Sequence, residues 1–108
     1  MLLMKNSNSN RIKNALEFLA GELEPEKIIL FGSRAKNESK IGSDFDLCIV
    51  GKKPEYRNLR IIREKLDDIL GIYSADIVFY SSIDSDFRKI VDETGKVVYE
   101  KGRGYISH

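Results

Sequence analysis

The chain offers little from which a covalent or thiolate framework could be made. Its single cysteine, Cys48, sits inside an apolar run, so neither a disulfide nor a cysteine-held zinc site can be assembled within the 108 residues. Neither sign of charge dominates: 18 Lys and Arg stand against 17 Asp and Glu, a formal balance of +1. A protein whose main task is gripping nucleic-acid backbone needs a basic excess, so direct nucleic-acid binding is not expected. Long apolar runs are missing as well. Met1 to Met4 is followed at once by Lys5 and a polar Asn/Ser stretch, too short for a signal segment or a membrane span. The expectation is a soluble, cytoplasmic protein with no membrane partner. No repeat, low-complexity tract or linker divides residues 1–108, which read as one domain with one modest core. A chain of this size leaves an elaborate acceptor site to a partner, through a homo- or hetero-oligomer.

What is present alternates between helical and strand-like patterns. After the turn-prone stretch Asn6 to Asn10, which can cap a helix, Ile12, Leu16, Leu19 and Leu23 recur at helical spacing and predict an amphipathic helix ending before Pro25. Lys27 to Phe31 is a short apolar run meeting a glycine turn at Gly32, the pattern of a buried strand. A polar connection from Arg34 to Ser43 leads into Asp44 through Val50, a second strand stopped by Gly51. Pro54 suits the first turn of a second helix whose stripe is Leu59, Ile62, Leu66, Ile69 and Leu70, with Gly71 as its stop. Arg57, Arg60, Arg63, Asp67 and Asp68 then face mostly outward. Ala75 to Tyr80 predicts a third strand, and Ser82 a cap for a third helix carrying Ile83, Phe87 and Ile90 before Gly95. Val97 to Tyr99 predicts a short last strand, with a frayed tail from Gly102. This order implies an α/β (α+β) fold, a small mixed β-sheet with helices packed on one face.

The chemically informative pattern is Gly32-Ser33, ten intervening residues, then Asp44-Phe45-Asp46, with Asp76 on a later strand. The period of two along a strand puts Asp44 and Asp46 on one face and Phe45, Leu47 and Ile49 on the other. Two carboxylates so placed can share hard cations that prefer oxygen ligands, and without a cation their mutual repulsion is a cost. A glycine at the strand's turn lets backbone N–H groups and the Ser33 hydroxyl approach phosphate oxygens. If the third strand neighbours the second, Asp76 shares the aspartates' face, where it can ligate a metal and accept an acceptor hydroxyl's proton. Each part alone has an ordinary explanation: a solvent-facing acidic pair, a strand-initiating aspartate, a plain turn. The fixed spacing is what weights the combination towards a site. Arg34, Lys36 and Lys40 remain open between phosphate-facing and merely solubilising charge. Cys48 reads as core filling and His108 as an end residue without chemistry.

Gly32-Ser33-Arg34-Ala35, Ser43-Asp44-Phe45-Asp46-Leu47 and Ala75-Asp76-Ile77-Val78 together resemble the polymerase-β-like nucleotidyltransferase superfamily, and the segment from Phe87 to Glu100 extends the resemblance along nearly the whole chain. More narrowly the chain is similar to minimal nucleotidyltransferases, the MNT antitoxins. Lys36-Asn37 departs from the Arg-Gly that members often carry there, and Asn tolerates left-handed backbone almost as Gly does. The resemblance implies the polymerase-β-like fold, with Asp44 and Asp46 catalytic and, with Asp76, holding Mg2+ as two ions. It further implies that Gly32, Ser33 and Arg34 contact the donor ATP. It also implies a HEPN-type toxin as partner, with AMP moved from ATP to a tyrosine hydroxyl of that toxin. Two alternatives stay beside it: the same chemistry on a small hydroxylated molecule such as an aminoglycoside, with a partner subunit, and a non-catalytic module that neutralises a partner by binding alone.

Overall fold

The structure, a computed structural model, describes residues 2–31 and 45–105, with side chains described from residue 10. Helix α1 (Leu2–Leu23) turns Ala15, Leu16 and Leu19 into the core and stops, as the pattern predicts, ahead of Pro25. It begins earlier than expected, running straight through Asn6 to Asn10. Asn and Ser are only modestly unfavourable inside a helix, and no Gly or Pro interrupts the segment, so the polar stretch does not stop the helix. At the other end Glu24 takes positive φ and its amide bonds to the Ala20 carbonyl, which turns the chain into β1 (Lys27–Phe31).

Strand β2 (Phe45–Val50) pairs antiparallel with β1, and helix α2 (Tyr56–Leu70) then carries the chain back so that β3 (Ala75–Phe79) lies parallel to β2. A parallel neighbour demands a crossover of this kind. Pro54 precedes the N-cap, Glu55, rather than occupying the first turn, and Gly71 closes α2 at φ 69° as the stop signal predicts. A single 3-10 turn (Tyr80–Ser82) leads to helix α3 (Ser85–Thr94), whose cap is Asp84 and not Ser82: the Asp84 carboxylate accepts from the Phe87 amide at 2.8 Å. Ser82 is consumed by the turn. β4 (Lys96–Glu100) pairs antiparallel with β1, and β5 (Gly104–Tyr105) with β4, giving the order β3-β2-β1-β4-β5. The tail expected to fray therefore forms an edge strand as far as Tyr105, made by positive φ at Gly102 and Gly104.

Two apolar layers flank this mixed sheet. On one face α1 and α2 bury Leu16, Leu19, Leu59, Ile62, Leu66 and Leu70 against Ile28, Leu47, Ile49, Ile77 and Phe79. Each such side chain contributes about 1.5–3 kcal/mol when fully buried. The other face carries Ile29, Cys48 and Val91, with Phe31, Val50, Val78, Tyr80, Phe87 and Val97 around them. The fold class is as expected, with one correction to its layering: α1 and α2 share a face, but α3 covers part of the opposite one. The α3 stripe matches residues of odd-numbered positions on β1 and even-numbered positions on β2, a choice of face that periodicity alone leaves open.

Candidate functional site

Three strand ends meet on the α3 side of the sheet. Phe31 closes β1 beside Asp46 near the start of β2, and Asp46 lies opposite Asp76 near the start of β3. Cys48 pairs with Val78 two positions further on, and both face the α3 layer, so Asp46 and Asp76 share that face. Phe45, Leu47 and Ile49 point the other way into the α1/α2 core, as the period of two predicts. Asp46 is half-buried and Asp76 exposed, so the pair opens to solvent at the strand ends instead of sinking under α3.

The local reason for this register lies in the turn before β3. The Phe45 amide donates to the Ser74 carbonyl at 3.1 Å, and the Phe45 and Tyr73 rings meet at 6.2 Å between centroids. These contacts set Ala75 against Phe45 and hence Asp76 against Asp46. Neighbouring strands run about 4.8 Å apart. Two carboxylates at that separation, facing one way and reached by water, suit a hard divalent cation bound through oxygens. Among the described residues no group of three or more His, Cys, Asp and Glu converges. Asp44, Gly32, Ser33 and Arg34 lie outside the described residues, although Gly32 directly follows Phe31, the register partner of Asp46.

Further along the same face the chemistry changes. Cys48 is fully buried, and burial together with the charge of Asp92 pushes its thiol up to about 11, so it stays protonated and inert at neutral pH. Tyr80 donates its hydroxyl to both oxygens of Asp92 at 3.2 and 3.1 Å, and Arg88 lies over its ring at 5.0 Å while donating Nε to the Tyr80 carbonyl. Burial, then the Asp92 carboxylate, raises the Tyr80 hydroxyl above its ordinary value. This cluster ties α3 to the 3-10 turn that follows β3. Arg88 and Asp92 sit one helical turn apart, a spacing visible in the sequence, but their common partner is set by tertiary packing.

Two other arginines make backbone contacts that the sequence reading did not foresee. Arg63, expected to face mostly outward with its helix neighbours, reaches back with Nη2 to the Ile77 carbonyl at 3.1 Å. Arg11 donates Nη1 to the Leu70 carbonyl at 3.2 Å. Among the described residues no helix is long and apolar enough to cross a membrane.

The fold is similar to that of several solved nucleotidyltransferase chains. A toxin-antitoxin complex with AMP-PNP matches at TM-score 0.66 and 20% identity, covering 84% of this chain and 75% of that one. A tri-AMPylated Shewanella oneidensis HEPN toxin in complex with MNT antitoxin matches at TM-score 0.67 and 17% identity, covering 89% and 75%. A minimal nucleotidyltransferase matches at TM-score 0.64 and 22% identity, covering 85% and 92%. These likenesses define the architecture as the minimal nucleotidyltransferase fold. The sequence places it more firmly: residues 13–103 match the family model described as Polymerase beta, Nucleotidyltransferase, and the chain belongs to that family as a nucleotidyltransferase. No curated protein matches it.

Proposed function

We propose that this chain is the antitoxin of a HEPN-type toxin and moves AMP from ATP onto a tyrosine hydroxyl of that toxin, with magnesium held by Asp44, Asp46 and Asp76. The observation that carries the proposal is the direct pairing of Asp46 with Asp76 at the open end of the sheet, in a chain of the nucleotidyltransferase family. Similar folds occur in a toxin-antitoxin complex with AMP-PNP and in one with a tri-AMPylated HEPN toxin, which favours this partner over a small hydroxylated acceptor.

Magnesium at such carboxylates neutralises charge on the transferring phosphoryl group and its pyrophosphate leaving group. The chain's own residues do the rest. Asp76, exposed on the terminal strand, takes the proton from the incoming tyrosine hydroxyl. The tyrosine oxygen forms a bond to the α-phosphorus, the bond from that phosphorus to the α,β-bridging oxygen breaks, and pyrophosphate leaves with its electron pair. Gly32, Ser33 and Arg34, which follow Phe31 in the chain, are the residues this reading assigns to the triphosphate.

The test is to incubate the chain with a cognate HEPN-type protein, Mg2+ and ATP labelled at the α-phosphate. Label is expected on a tyrosine of the partner, and Asp46→Asn or Asp76→Asn should lower the rate by about 10²–10⁴-fold while complex formation survives. Asparagine variants that still neutralise the toxin would instead favour a non-catalytic binding module.

A further inference from the structure

Asp76 stands second on the terminal strand of the sheet, where one backbone edge pairs with β2 and the other meets no strand among the described residues. A carboxylate on such a strand keeps its place only as well as the strand end does. Two long cationic side chains from different helices reach the backbone on either side of it. Arg63 leaves α2 and binds the carbonyl of Ile77, the residue immediately after Asp76. Arg11 leaves α1 and binds the carbonyl of Leu70, the last residue of α2, where helix carbonyls lack intrahelical partners and a cation is favoured. That same carbonyl accepts from the Tyr73 amide at 3.2 Å. The Arg11 guanidinium also fills the space that a side chain at Gly71 would need.

We propose that Arg11 and Arg63 are positioning residues that clamp the segment 71–77 at both ends and so hold the Asp76 carboxylate opposite Asp46. Arg11 fixes where the chain leaves α2, the Phe45 and Tyr73 contacts carry that placement to Ala75, and Arg63 holds the strand immediately beyond Asp76. Both act through backbone carbonyls. The inference rests on the reading above that Asp46 and Asp76 hold the cation.

The test compares the full chain with Arg11→Gln, Arg63→Gln, the double variant, and Arg11→Lys and Arg63→Lys. The first readout is amide hydrogen exchange, resolved by residue. Exchange over 75–77 is expected to quicken about tenfold in the glutamine variants while amides of β1 and β4 stay protected. The second is the magnesium concentration giving half-maximal AMP transfer to the HEPN-type partner. It should rise about tenfold in the glutamine variants, with the rate at saturating magnesium within about twofold of the wild type, and return towards the wild type in the lysine variants. A role confined to stability lowers the melting temperature and leaves the magnesium response of the folded chain unmoved. Folded glutamine variants with unshifted magnesium response overturn the proposal, whether or not their strand exchanges faster. If the wild type itself transfers no AMP, the functional reading above fails, while exchange over 75–77 still decides whether the arginines clamp the strand.

Discussion

Asp46 and Cys48 stand two positions apart on the same face of β2 and meet opposite surroundings. Asp46 is at the open strand end, whereas Cys48 lies under Val91 of α3 with no solvent exposure. The consequence for the thiol is a measurable pH dependence. In the unfolded chain a thiol ionises at its ordinary value, 9.0, whereas the folded chain keeps the proton until about 11. The folded state therefore binds more protons than the unfolded one across that window, so stability is intact below pH 9 and falls as pH climbs towards 11. The hydroxyls of Tyr80 and Tyr105, both raised chiefly by burial, act in the same direction at the alkaline end. Urea midpoints at about pH 8 and about pH 10.5 are expected to differ, the second being lower, and the difference should shrink in Cys48→Ala. That Cys48 fills the core was legible from its apolar neighbours. Its coupling to Asp92, 44 positions on (92 − 48), was not.

At the scale of elements, the clearest signals were apolar periodicity and glycine stops. The α2 stripe and the end of that helix at Gly71 are both found in the structure, because Leu59, Ile62, Leu66 and Leu70 recur at helical spacing and Gly71 alone takes φ 69° without a clash. Gly71→Ala is expected to cost about 1–3 kcal/mol from the backbone alone, because φ 69° with ψ −115° mirrors the β region and is open to glycine but not to a residue with a Cβ. Displacement of the Arg11 guanidinium from the space beside it adds to that loss. Thermal denaturation should show a fall of at least about 5 °C, using the usual conversion for a domain of this size. The element boundaries set by capping were less legible. The sequence pointed to Ser82 as the cap of α3, but Ser82 is taken up by the 3-10 turn and Asp84 caps the helix instead.

For the whole molecule, the relevant fact is that Asp46 and Asp76 come from strands separated by α2 and are neighbours only through a parallel crossover. A ligand binding across that junction stabilises the folded chain as a unit, because no such pair of carboxylates exists once the sheet opens. On the proposed reading, Mg2+ at about 100 times its dissociation constant adds about 2.7 kcal/mol. The melting temperature should then rise by several degrees with Mg2+ and ATP, and Asp46→Asn should abolish the rise. An equal melting temperature with and without the ligands would count against a cation site at this junction. The same crossover creates a contact that the outward placement of Arg63 does not reveal. Arg63 is exposed on α2 as periodicity predicts, and its long side chain still reaches the Ile77 carbonyl of β3.

By itself the sequence determined the three helices, all the strands but β5, and which face of β2 carries Asp46. All of these follow from local spacing, since side-chain direction repeats every two residues in a strand and about every 3.6 in a helix. Only the tertiary structure decided that β3 lies beside β2 with Asp76 opposite Asp46, that α3 covers the face shared with Cys48, and that Arg11 and Arg63 reach the backbone around Asp76. Those are contacts between segments far apart in the chain. Their energies depend on which surfaces are left over after the local elements form, and no periodicity along the sequence records that choice.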